Sequence, residues 1–163
     1  MQSQETSALD SPGQLEFILN RIEKKQALRA YYNKVYESYK SCLSRCPDDG
    51  ISLEIGSGGG FAKKLIPELG TSDVIEYSNV DRIIDATKID LPDASCRCIL
   101  MLNVFHHIPD VESFLSEANR CLKKGGRILI SDGHLGLLSR FILKYIHHEP
   151  FAPKVKEWKF RSS

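Results

Sequence analysis

The sequence predicts an α/β domain built on a doubly wound parallel sheet with helices on both faces. Two observations predict it. From residue 51 onward, short apolar runs of strand length alternate with segments whose apolar residues recur at helical spacing. The first run, Ile-Ser-Leu-Glu-Ile at 51–55, passes through Gly56-Ser57-Gly58-Gly59-Gly60 into a helix starting at Phe61. Glycines let such a turn bend sharply and approach a ligand closely. The following helix points its free N–H groups and positive dipole end at the turn. This is the geometry of a nucleotide or nucleoside pocket at the C-terminal edge of a parallel sheet, with a plain flexible loop as the bland alternative.

The elements follow in order. Residues 1–10 read as a disordered leader, and residues 11–163 as one domain in three parts. The first part, 11–46, is helical: Ser11 as N-cap, Pro12 at the first helical position and Gln14 completing a capping box. Its tyrosines, Tyr31, Tyr32, Tyr36 and Tyr39, either pack on the sheet or close over a ligand. The α/β core spans 51–148. A helix over 61–69 is weakened by Pro67 and stopped by Gly70. Strands are expected over 71–75 and 82–85, so close together that the crossover helix must shrink to a turn or a strand is misplaced. A strand over 98–103 is apolar enough to be buried on both faces. Asp110 caps a helix over 111–123, Gly125-Gly126 ends it, and a fifth strand covers 127–132. A helix over 135–148 precedes a tail at 149–163.

Composition narrows the function. The 163 residues are 42% hydrophobic and 26% charged, with a net charge of +1, so nothing points to nucleic acid. No apolar run approaches a membrane span, and the first ten residues lack a signal-peptide apolar region; a cytoplasmic location is expected. The five cysteines read as free thiols. Neither Cys42-x-x-x-Cys46 nor Cys96-x-Cys98 is a zinc spacing with a second half, so no metal ligand is assigned. His147-His148-Glu149 reads as a solvated or substrate-facing helix end.

Spacing separates two ligand classes. A dinucleotide fingerprint wants Gly-x-Gly-x-x-Gly or Ala. Here its last position is Phe61, and the glycines fall instead as Gly-x-Gly-x-Gly with Glu54 two residues before the first. Further on come Ser72-Asp73-Val74, Val80-Asp81 with Asp85-Ala86, and Asn103-Val104 followed by His106-His107-Ile108-Pro109-Asp110. Together these resemble the class I S-adenosylmethionine (SAM)-dependent methyltransferases, in particular a methyltransferase type 11-like subgroup. The resemblance spans about 52–132.

The resemblance implies a Rossmann-like fold, SAM as cofactor and S-adenosylhomocysteine as product. It implies that Gly56, Ser57, Gly58 and Gly59 pass under the methionine part of SAM. Asp73 would hold the ribose hydroxyls; spacing alone would equally allow Glu76. Val74 would lie on the adenine, Asp85 would accept from its amino group, and the backbone of Ala86 and Thr87 would sit beside the ring. Asp85 also suits a plain turn. Glu54 would reach the SAM amino group, or else serve as a cap. Asn103 would orient the methionine tail or the acceptor, or merely cap a turn. His106 is the candidate general base, with His107 second or else packed into the core. The acceptor would be a small molecule or glycan. Rivals are a nicotinamide dinucleotide oxidoreductase and a non-catalytic module of the same fold. The family fold ends in an antiparallel hairpin with a seventh strand beside the fifth. The tail is too short for it, so the fifth strand's edge is expected to be covered by residues 151–160, paired with a second chain or, the favoured reading, filled by residues beyond this sequence, without which the chain would self-associate.

Overall fold

The computed structural model describes residues 24–133. The leader, the Ser11 cap, the helix over 135–148, His147-His148-Glu149, the tail and the hairpin region lie outside them. The elements are α1 (Gln26–Leu43), β1 (Ile51–Ile55), α2 (Phe61–Leu65), β2 (Gly70–Asp73), β3 (Arg82–Ile83), β4 (Cys96–Leu102), a 3₁₀ turn (Phe105–His107), α3 (Val111–Cys121) and β5 (Leu122–Ser131). The strands form one all-parallel sheet in the order β3-β2-β1-β4-β5, with β1 at its centre as expected.

Period-two alternation divides the strand side chains between two cores. Leu53 and Ile55 of β1 join Ile99 and Met101 of β4 on one face, beneath Phe114, Ala118 and Cys121 of α3. Cys98 and Leu100 of β4 face the other way, onto Tyr36, Tyr39 and Leu43 of α1 and Ala62 of α2. Most of the tyrosine stripe therefore packs: Tyr36 and Tyr39 are buried, Tyr32 sits 6.0 Å from the ring of Phe61, and Tyr31 is exposed.

Several boundaries differ from expectation: β2 ends at Asp73 instead of 75, β3 at Ile83 instead of 85, and β4 runs Cys96–Leu102 instead of 98–103. α2 stops at Leu65, because Ile66 precedes Pro67 and is driven out of the helical region, to φ −136 and ψ 80. Gly70 is thus not a helix stop but the first residue of β2, paired with Leu53. α3 ends at Cys121, and Leu122 already pairs with Cys96. Gly125 and Gly126 lie inside β5, where the ladder skips from Leu122–Cys96 to Arg127–Cys98. The extra residues bulge out there, with Gly125 at φ 82. From Arg127 to Ser131 the strand runs in register beside β4, as the sequence suggested.

The crossover from β2 to β3 contains no helix; residues 74–81 make it as a loop. Asp81 holds its end. The carboxylate accepts from the backbone N–H of Thr71 at 2.9 Å and from its hydroxyl at 3.1 Å, and pairs with Lys63. The other long connection, 88–95, is fastened to α3 by Arg120, which donates to the carbonyls of Ile89 and Leu91 and pairs with Glu117 and Asp93.

Candidate active site

The ends of β1, β2 and β4 meet at the glycine turn. Ser57 ties the turn to β2: its N–H donates to the carbonyl of Ser72 at 2.8 Å, and its hydroxyl accepts from the N–H of Ser72 at 3.2 Å. Two glycines are dictated by close neighbours. A Cβ at Gly56 would lie 2.3 Å from Cγ2 of Val104, and one at Gly60 would lie 2.9 Å from Nδ2 of Asn79. Both have left-handed φ, 69 and 64. The short crossover loop therefore packs straight onto the glycine turn.

Asp73 stands at the end of β2, buried. One oxygen accepts from the N–H of Gly58 at 2.9 Å and the other from the N–H of Ile75 at 3.1 Å. A carboxylate is thus fixed against the middle of the turn, while Glu76 is exposed. Val74, next in the chain, leaves an apolar side chain 67% exposed at the same rim.

Glu54 is the least comfortable group in the site. Only 4% exposed, it points to the α1 face beneath the turn, and its Oε2 has no hydrogen-bond partner. The Tyr39 hydroxyl, also buried, is likewise left without a partner. Burial raises the Glu54 carboxyl from an ordinary 4.5 to about 7; the nearby Ser57 and Tyr39 hydroxyls oppose this, and the charge of Asp73 adds to it. An unpaired buried oxygen of this kind costs stability until a donor reaches it.

Asp85 takes the turn-forming role. Its Oδ1 accepts from the N–H of Thr87 at 2.8 Å and from its hydroxyl at 2.7 Å. The N–H of Thr87 is therefore already used. Ala86, between them, is half-buried against the α3-side core.

Asn103 leaves β4 in the left-handed region, at φ 55, its N–H donating to the carbonyl of Ser131 at 2.8 Å. Asparagine is one of the few non-glycine residues that takes this conformation at small cost. His106 follows. Its Nδ1 lies 2.7 Å from Oδ1 of Asp132, and its backbone N–H donates to Oδ2 of the same carboxylate at 3.1 Å. An ionised carboxylate only accepts, so Nδ1 is the donor and Nε2 carries the lone pair of the neutral ring. His107 is exposed rather than packed into the core, its ring 4.0 Å from that of His106. Sequence reading missed Asp132 as a partner of His106; only the parallel pairing of β4 with β5 brings the two together.

Among the described residues no helix is long and apolar enough to cross a membrane. The profile of a family described as a methyltransferase domain matches residues 53–130. A Mycolicibacterium smegmatis protein named a probable S-adenosylmethionine-dependent methyltransferase is 29% identical over 107 residues, covering 57% of this chain and 41% of that protein. Two solved structures share the fold. The YcgJ protein of Bacillus subtilis is similar at a TM-score of 0.52 and 24% identity, over 63% of this chain and 51% of that one. A candidate SAM-dependent methyltransferase from Methanococcus maripaludis is similar at 0.59 and 16% identity, over 88% and 75%. The chain thus spans about half the length, or less, of two of these relatives. The sheet order, the glycine turn closed by Asp73 and these likenesses agree: residues 53–130 match the methyltransferase-domain family and are similar to SAM-dependent methyltransferases.

Proposed function

We propose that this chain, as a single domain over 11–163 working in the cytoplasm, binds SAM at the glycine turn and moves its methyl group to a small-molecule or glycan-type acceptor. The observation that carries the cofactor reading is the unpartnered, buried Glu54 oxygen beneath the glycine turn, which fits a ligand with an ammonium group. In this reading Gly56, Ser57, Gly58 and Gly59 carry the methionine part, and Glu54 accepts from its amino group directly or through water. Asp73 exchanges its bond to Gly58 for the ribose hydroxyls, Val74 covers the adenine, and the turn of Asp85, Ala86 and Thr87 presents a carboxylate to the ring's amino group. When bound, SAM supplies a methyl on a sulfonium that is already electrophilic, so alignment provides much of the catalysis.

Asn103 borders the acceptor side. His106 takes the acceptor's proton at Nε2, and Asp132 is a positioning residue that fixes the ring and its tautomer. Positioned bases of this kind contribute about 10²–10⁴-fold; turnover by His106→Ala should fall by that factor with cofactor affinity unchanged. A non-catalytic module would bind SAM but show no turnover with any acceptor.

Calorimetry with SAM, S-adenosylhomocysteine and NAD tests the cofactor. The first two should bind and NAD should not, and a folded Gly58→Val variant should bind neither. Asp73→Ala should lose about ten- to a hundredfold in affinity, the worth of a hydrogen bond to a charged group, while Glu76→Ala should lose none. The reverse pattern would move the ribose site to Glu76.

Self-association through the edge of β5 belongs to the same proposal. Among the described residues β5 has a hydrogen-bonded strand on one side only, and Ile130 is exposed. Sedimentation at tens of micromolar should show dimers or larger species, and a strict monomer would remove this part.

A further inference from the structure

Away from the glycine turn, three thiols converge between α1 and β4. Cys42 lies in the last turn of α1, Cys46 just beyond its end, and Cys98 projects from β4 into the layer packed on α1. The three sulfurs all lie within 4.8 Å of one another, and those of Cys42 and Cys98 are 3.7 Å apart. Zinc–thiolate bonds of about 2.3 Å in a tetrahedron place the sulfurs about 3.8 Å apart, so this pair already has the required separation. Three sulfur ligands select thiophilic cations over magnesium or calcium.

The surroundings fit as well. A groove of about 430 Å³, lined by Ser38, Ser41, Cys42, Arg45 and Arg127 among others, opens against the cluster from outside. It reaches the cluster at Cys42, the member that lines it, and so gives an entry path from that side. Three thiolates on a divalent cation leave one net negative charge, and Arg127, which lines the groove, acts on Cys42 as a nearby positive charge. Arg127 is held in place by its Nε donating to the carbonyl of Arg45 at 3.1 Å.

We infer that Cys42, Cys46 and Cys98 form a site for one thiophilic divalent cation of the zinc class, which on binding cross-links the end of α1 to β4. The spacing of Cys42 and Cys46 shows only half of it. The third ligand comes from a strand that sequence spacing cannot connect to them.

The test uses the full chain, fully reduced and stripped with chelator. Cd²⁺ is titrated in while thiolate-to-metal charge-transfer absorption is followed, and Zn²⁺ is then added as competitor. The expected result is saturation at one equivalent, release of the band by Zn²⁺ and a rise in melting temperature with Zn²⁺. Cys98→Ser and Cys46→Ser should each weaken Cd²⁺ binding at least tenfold, and Cys121→Ser, buried elsewhere, should not. Cys46 is only partly buried, so its variant remains informative even if Cys98→Ser fails to fold. Absence of a saturable band in the unmodified chain would overturn the inference. So would an affinity unchanged in Cys46→Ser.

Discussion

β2 reaches β3 through residues 74–81 without a helix, whereas β4 reaches β5 through a 3₁₀ turn and the eleven-residue α3. The second crossover is held by apolar burial: Phe114, Ala118 and Cys121 are fully enclosed against the sheet. The first is held by polar side chains, with Asp81 on Thr71 and Lys63, and Asn79 against Gly58 and Gly60. Burial is non-directional and strong, while exposed hydrogen bonds and ion pairs are directional and weak in net terms. The helical crossover therefore supports the whole domain, and the polar one shapes its local surface, which here borders the glycine turn.

This contrast is open to attack from both sides. Phe114→Ala should cost about 3–5 kcal/mol of global stability, the usual range for emptying a buried aromatic position, read as a shift of the urea midpoint. Cofactor affinity of the fraction that remains folded should change little.

Glu54 comes next. Its carboxyl is raised above the unfolded value, so the native state binds the extra proton between pH 4.5 and about 7. Stability should fall as pH rises through that window and level off above it. The total is on the order of 3 kcal/mol at most. Glu54→Gln should abolish the fall and leave the ligand-free protein more stable at pH 8, yet weaken SAM binding. In the unmodified chain, SAM affinity should decline below about pH 7 as the proton competes with the ligand's ammonium group. Parallel melts and titrations across pH 5–8 check both halves.

The smallest effect is expected at Asp81. Asp81→Ala should cost only about 1 kcal/mol globally, because its partner Lys63 is half-exposed and screened. Hydrogen exchange at Thr71 should nevertheless accelerate far more than at Ile99. Its pairing with Lys63 and the Thr71 N–H hold the Asp81 carboxyl below its ordinary 3.8. Its contribution is therefore present above that value and disappears as pH falls through the lowered one. A global loss at Asp81 as large as that at Phe114 would erase the distinction between the two crossovers.

What was legible in the sequence follows the same division. Elements defined by apolar pattern were readable: β1, β4, the capped α3 and the central position of β1. The ligand class was readable because Gly56 to Gly60 and Glu54 sit within a few residues of each other. Contacts made by long-range pairing were not. Asp132 on His106, Asn79 on Gly60 and Cys98 beside Cys42 depend on which strands become neighbours, and no local spacing encodes that. Gly70 misled because glycine stops a helix and opens a strand equally well; Pro67, three residues earlier, had already ended the helix. Asp85 was read both as a ligand residue and as a turn former; its Oδ1 fills the second role, one that short acidic side chains take at many strand ends.

Asn103 carries one last consequence. Its left-handed backbone admits glycine freely, asparagine and aspartate at small cost and most other residues poorly. Any comparison of natural variants would therefore find this position narrow in its choices whether or not the amide touches a ligand, and invariance here would be weak evidence of chemistry. The two causes come apart in a pair of substitutions. Asn103→Gly keeps the backbone and deletes the amide; Asn103→Ala deletes the amide and strains the backbone as well. If the two variants differ in stability but match in turnover, the loss they share is the amide's own contribution to the reaction.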